Sequence, residues 1–144
     1  MRIKVAQSTF PAKLSQLELI RNFIEHYSAI LGFNSSAIYD LMWAITEIVT
    51  NVIEHGYKNE DGSIEVILLR EGPDFIMQVR DEAPVFKPSS SSEPDLSLPL
   101  DKRPMRGLGL YMTKKIMDSL THRVTETGGN EITMIKKGII EDQP

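Results

Sequence analysis

A chain of 144 residues is the size of one compact domain, and two full domains would leave each with too little core. With 41% hydrophobic and 25% charged residues, the composition is that of an ordinary globular chain and excludes wholesale disorder or a fibrous repeat. A net charge of −4 supplies no general attraction for nucleic acid or an anionic membrane, and the lack of cysteine excludes disulfides, thiolate metal sites and cysteine nucleophiles.

The N-terminal Met1–Ala6 has no long apolar stretch of the signal-peptide kind, and no apolar run approaches the roughly 18 residues of a membrane span, so a cytoplasmic protein is expected. Ile3 to Ser8 predicts a short strand, and Pro11 stands where a helix can begin. Leu17, Ile20, Ile24, Tyr27 and Leu31 recur at steps of three and four, lining one face of a first helix that Gly32 stops; the face suits a core or a partner helix equally. Asn34, Ser35 and Ser36 offer caps for a second helix, whose apolar stripe Leu41, Ile45, Ile48, Val52 runs until His55-Gly56.

Ile64 to Arg70 and Phe75 to Arg80 flank Glu71-Gly72-Pro73-Asp74, a turn sequence that predicts a β-hairpin. From Ala83 to Met105 proline and serine take over, with Ser89 to Ser92 in a row, and a mobile loop is expected. Leu108, Met112, Ile116 and Leu120 step by four along a third helix, and Arg123 to Thr127 and Glu131 to Lys136 flank Gly128-Gly129-Asn130 as a second hairpin. The order βααββαββ predicts an α+β fold, a two-layer sandwich whose largely antiparallel mixed sheet is covered by helices on one face, in a single domain spanning 1–144.

Three groups of polar residues stand out. Glu47, Asn51 and His55 follow one another at four-residue steps on the second helix, a drifting stripe beside its apolar face. A carboxylate there can take a proton or orient a nucleophile, and an Asn carbonyl oxygen can ligate Mg²⁺, although a merely solvated helix face has the same spacing. Asp81 closes a strand ahead of Glu82-Ala83-Pro84, where a fixed carboxylate can accept the proton of an exocyclic amine such as that of adenine; a turn-forming Asp reads the same way. Arg106-Gly107-Leu108-Gly109-Leu110 lies between the serine-rich loop and the third helix, where glycines let backbone amides approach an anion. Neither a Walker A loop nor a dinucleotide fingerprint is present. His26 and His122 have no partner pattern and are assigned structural or surface roles.

Taken together, Glu47-x-x-x-Asn51, Asp81-x-Ala83, the loop and Arg106-Gly107-Leu108-Gly109 resemble the N, G1 and G2 boxes of the GHKL (histidine kinase-like) ATPase superfamily. Within it, the run Glu47 to Tyr57 and the run Arg106 to Met112 are similar to the small anti-sigma-factor serine/threonine protein kinases, and the likeness covers nearly the whole chain. The absence of a histidine-bearing dimerisation segment or sensor domain ahead of the unit argues against a complete two-component histidine kinase.

The resemblance implies a Bergerat-type ATP-binding fold with ATP and Mg²⁺ as cofactors. It implies that Asn51 holds Mg²⁺, Glu47 acts as general base or orients the attacking hydroxyl, and Asp81 recognises adenine. His55, Ala83, Leu108 and the phosphate-bordering Gly107 and Gly109 complete the nucleotide site, with Arg106 compensating phosphate charge and the segment at about 83–105 acting as an ATP lid. Ala83 stands where the G1 box usually has glycine. The implied activity is transfer of the γ-phosphoryl group to a STAS-fold anti-sigma-factor antagonist, in a partner switch with a sigma factor and without direct nucleic-acid or membrane contact; a homodimer is compatible with it. The alternative is an ATP-binding regulatory module that sequesters a protein partner with little or no kinase activity.

Overall fold

The computed structural model describes residues 1–84 and 105–141. The chain runs β1 (Ile3–Pro11), a 3-10 turn (Leu14–Gln16), α1 (Leu17–Ile30), α2 (Ser35–Asn51) and one π-helical turn (Val52–Gly56). It continues as β2 (Ser63–Glu71), β3 (Asp74–Asp81), α3 (Met105–Ile116), β4 (Ser119–Val124) and β5 (Asn130–Lys136), the expected βααββαββ order. The strands form a five-stranded sheet in the order β1-β2-β3-β5-β4, and every described pairing is antiparallel.

Alternation along the strands divides the sheet into two unlike faces. Ile64, Val66 and Leu68 of β2, Phe75, Met77 and Val79 of β3, and Ile132 and Met134 of β5 share one core with Ile20 and Ile24 of α1 and Leu41, Ile45, Ile48 and Val52. Burying each such side chain contributes roughly 1.5–3 kcal/mol. The apolar stripe of the first helix is therefore core, and α2 lies between α1 and α3 in the helical layer. On the opposite face Glu65, Arg80, Glu131 and Arg123 form a ladder of ion pairs. The architecture is the two-layer α+β sandwich that the pattern predicts.

Local chemistry sets the element ends. The Asn34 side chain accepts the Ala37 N–H at 2.8 Å, capping α2. Gly32 at φ +78° ends α1, and the Phe33 N–H reaches back to the Ser28 carbonyl at 3.0 Å, closing a Schellman turn. Gly72 at φ +58° takes the left-handed position of the β2–β3 hairpin, with Pro73 after it.

Four boundaries differ from the sequence expectation. Pro11 ends β1 rather than opening a helix, which an edge strand tolerates because its missing N–H faces no partner strand. The third helix stops at Ile116: the Lys136 ammonium donates to the Ile116 carbonyl, the Asp118 N–H pairs with the Ile135 carbonyl at 2.9 Å, and Leu120 lies on β4. That helix also begins earlier, at Met105, so Arg106 to Gly109 belong to its opening turns instead of a preceding loop. The second hairpin begins at Ser119 rather than Arg123. Of the loop expected at 83–105, residues 85–104 lie outside the described residues. Among the described residues no helix is long and apolar enough to cross a membrane.

Candidate functional site

Asp81 is the last residue of the middle strand, paired in register with Ile64 of β2 on one side and Asn130 of β5 on the other. Its side chain is on the core-facing side and only 2% of the residue is exposed. Oδ1 accepts two hydrogen bonds, from the Ala83 N–H at 2.9 Å and from the Asn130 amide Nδ2 at 2.9 Å. Oδ2 is buried with no donor among the described residues. An unpartnered carboxylate oxygen is costly and rare in a folded interior, and it fits a ligand that brings its own N–H. Burial pushes the Asp81 carboxyl above its usual range, and the Asn130 and Ala83 hydrogen bonds pull against that rise.

The turn after Asp81 is held from three directions. The Tyr57 hydroxyl donates to the Ser63 carbonyl at 2.7 Å and accepts the Glu82 N–H at 2.8 Å. The Glu82 carboxylate accepts from the Thr127 hydroxyl at 2.8 Å. Gly129 lies so close that a Cβ there would stand 2.1 Å from the Asp81 carbonyl oxygen, so the β4–β5 turn can approach only as glycine. Ala83 is itself buried, and its carbonyl accepts from Asn130 Nδ2 at 3.3 Å.

Glu47 and Asn51 stand one turn apart on α2, both half-buried. The Asn51 amide Nδ2 donates to the Glu47 carbonyl at 2.9 Å, which leaves Oδ1 as the acceptor side of the amide, the atom a hard cation requires. Burial raises the Glu47 carboxyl above its usual range, and the Glu54 carboxylate raises it further, improving its capacity to hold a proton. Glu47 also lines an open cavity of about 220 Å³ with Arg21, Tyr39, Met42, Trp43 and Thr46. His55 does not continue the α-helical stripe: it sits in the π turn, where the Tyr57 N–H bonds to the Val52 carbonyl at 2.8 Å and the wider turn changes its angular position.

Arg106, Gly107, Leu108 and Gly109 fall in the opening turns of α3, and the first-turn N–H groups of a helix have no intrahelical acceptors. Among the described residues no cluster of three His, Cys, Asp or Glu forms a metal cage. Mg²⁺ needs none when substrate phosphates and water supply most of its oxygens. A larger cavity, about 530 Å³, opens beside the ion-pair ladder, with Glu65, Arg80 and Arg123 in its wall together with Asp81, Glu82 and Thr127.

Asn130 and Tyr57 were not among the residues singled out from the sequence. Asn130 reads as the end of a Gly-Gly-Asn turn, yet it begins the inward series Asn130, Ile132, Met134, all fully buried. A polar residue at an inward strand position needs a buried partner, and that was the available signal.

The described fold and the boxes along it define a nucleotide-binding class, and the match to a family model is explicit: residues 10–136 match the histidine kinase-like ATPase domain. The chain belongs to the histidine kinase-like ATPase domain family. It is 27% identical over 139 residues to the serine-protein kinase RsbW of Bacillus cereus strain Q1, covering 94% of this chain and 86% of that protein. The RsbW of Bacillus anthracis matches with the same identity and coverage. A solved structure of the RsbU and RsbW domains of a Mycobacterium tuberculosis protein shares the fold at a TM-score of 0.63 and 20% identity. That match covers 92% of this chain, which spans 32% of the solved one.

Proposed function

We propose that this chain is an ATP-dependent serine/threonine protein kinase and anti-sigma factor that phosphorylates a STAS-fold anti-sigma-factor antagonist. The observation that carries the reading is the buried Oδ2 of Asp81, without a donor among the described residues, in a domain of an ATPase family whose second helix presents Glu47 and Asn51. Asp81 Oδ2 accepts the adenine amine. Ala83 lines the base, Gly107 and Gly109 border the triphosphate with Arg106 offsetting its charge, and His55 and Leu108 complete the nucleotide site. Asn51 Oδ1 holds Mg²⁺, which when bound neutralises phosphate charge and orients the γ-phosphoryl group.

The Glu47 carboxylate takes the proton of the acceptor serine or threonine hydroxyl. The hydroxyl oxygen forms its bond to the γ-phosphorus while the bond from that phosphorus to the β–γ bridging oxygen breaks, and ADP leaves with the electron pair. The raised proton affinity of Glu47 suits a base, and its position in the wall of an open cavity suits a macromolecular acceptor. Phosphate on the antagonist adds charge that weakens the complex and frees the kinase for a sigma factor, so control runs through proteins.

The test incubates the chain with labelled Mg-ATP and STAS-fold antagonists, then maps the phosphorylated residue. Glu47→Gln is expected to keep Mg-ATP affinity and lose transfer by about 100-fold or more, and Asn51→Ala to lose metal-dependent nucleotide affinity. Normal transfer by Glu47→Gln removes it as the base. ATP binding with no transfer to any antagonist leaves the sequestering module as the function.

A further inference from the structure

We infer that Asn130 and His122 are positioning residues that set Asp81 to select adenine over guanine. The inference rests on the ATP reading above and adds to it the means by which the base is discriminated.

Chemistry fixes the orientation of every group in the chain. Asn130 Nδ2 faces three oxygens, Asp81 Oδ1 at 2.9 Å and the carbonyls of Ala83 at 3.3 Å and Pro84 at 3.5 Å. A carboxylate and two carbonyls only accept, so the amide nitrogen, with its two protons, must point at them. Asn130 Oδ1 is thereby turned to His122 Nε2 at 2.8 Å, and that nitrogen must carry a proton. The relay runs from β4 through fully buried Asn130 on β5 to Asp81 on β3. The glycine-only approach at Gly129 brings the strand's start this close.

The consequence lies at the other carboxylate oxygen. With Oδ1 occupied by Asn130 and Ala83, the rotation of the carboxyl is locked, and Oδ2 is the acceptor left without a donor among the described residues. The 6-amine of adenine donates to such an oxygen, whereas the 6-oxo group of guanine sets acceptor against acceptor. Without the amide the carboxyl can turn or protonate, and a protonated Oδ2 becomes a donor that suits guanine. Asn130→Asp makes this sharper, because two adjacent carboxyls share a proton.

The experiment measures ATP and GTP affinity by calorimetry in Mg²⁺ buffer, and follows the side-chain carboxyl carbon of Asp81 by NMR across pH in the apo protein. Asn130→Ala and Asn130→Asp are expected to lower the ATP-to-GTP preference by about tenfold or more. His122→Phe is expected to lower it about two- to fivefold, and His122→Gln, whose amide can donate in place of Nε2, to restore it. The Asp81 midpoint should rise in Asn130→Ala, since a hydrogen bond that favours the ionised form is gone. His122 sits on an edge strand and is half-exposed, so its pair of variants keeps the test open should the Asn130 variants not fold. A wild type that binds ATP, with folded variants whose preference stays within about twofold of it, overturns the relay alone. A wild type that binds neither nucleotide overturns the ATP reading and this inference with it, whatever the Asp81 resonance does.

Discussion

Asp81 and Glu131 are both buried carboxylates one rung apart on the same pair of strands, and they have opposite electrostatic fates. Glu131 faces the uncovered side of the sheet, where Arg123 donates to it at 2.8 Å and Arg80 also pairs with it. Burial alone would raise its carboxyl, but the hydrogen bonds and charges of Arg123 and Arg80 overcome that and hold it below its usual range. Asp81 faces the helices with one oxygen bonded and the other left without a donor among the described residues, and its carboxyl is raised. A satisfied buried charge serves the fold, and under the proposed function the unsatisfied one at a strand end is the group that meets the base.

The largest expected effect is on binding. Asp81→Asn should weaken ATP by about 100-fold, because a nitrogen replaces the acceptor that meets the amine. The apo protein should melt no lower than wild type, since a buried charge has been removed. A folded Asp81→Asn with wild-type ATP affinity, measured by calorimetry, would erase the contrast. Next is Glu131→Gln, which should cost the fold roughly 1–2 kcal/mol, a value reduced for the solvent exposure of its arginine partners. Urea unfolding measures it, and ATP affinity of the folded protein should change by less than about threefold. An effect on ATP as large as that of Asp81→Asn would show that the two faces are not independent.

Tyr57→Phe removes a hydroxyl that bridges Ser63 and Glu82, and should cost about 1 kcal/mol of stability with a smaller loss of ATP affinity. The smallest effect is a difference in pH dependence. A lowered carboxyl such as Glu131 contributes stability above its unfolded value, near pH 4.3, and loses it as pH falls through the folded value. A raised one such as Asp81 has the reverse sign: its contribution is fully present below about pH 3.9 and is lost as pH rises through the folded value. Urea unfolding between about pH 3 and 7 should therefore show the Glu131→Gln deficit shrinking on the acid side and any Asp81→Asn gain growing toward neutrality. Offsets that stay constant with pH would mean that packing, not charge, separates the two.

Much of the architecture was legible because periodicity is local. The stripe Leu41, Ile45, Ile48, Val52 is buried as the four- and three-residue steps require, and the turn residues at Gly32 and Gly72 stop or reverse the chain where expected. The same rule misread Leu120, since a leucine four residues past Ile116 continues a helical pattern until cross-strand pairing with Met134 claims it. Glu47, Asn51 and Asp81 were legible as groups with usable chemistry. The π turn was not, because one wide turn leaves no mark on an apolar pattern, and Asn130 was not, because its reason for being polar is a carboxylate 49 residues away.

That separation bears on how the protein comes into being. Asp81 can be locked only after β5 has docked beside β3, and β5 is the last of the described strands. Closing so long a loop is among the slower steps of folding, so the carboxylate gains its fixed orientation late, after the β2–β3 hairpin can already have formed. A nascent chain that has not yet made β5 would display the second helix and its glutamate while Asp81 still lacked the Asn130 amide that orients it. During synthesis, the Asp81 side chain therefore gains its Asn130 partner only once β5 has been made and has docked.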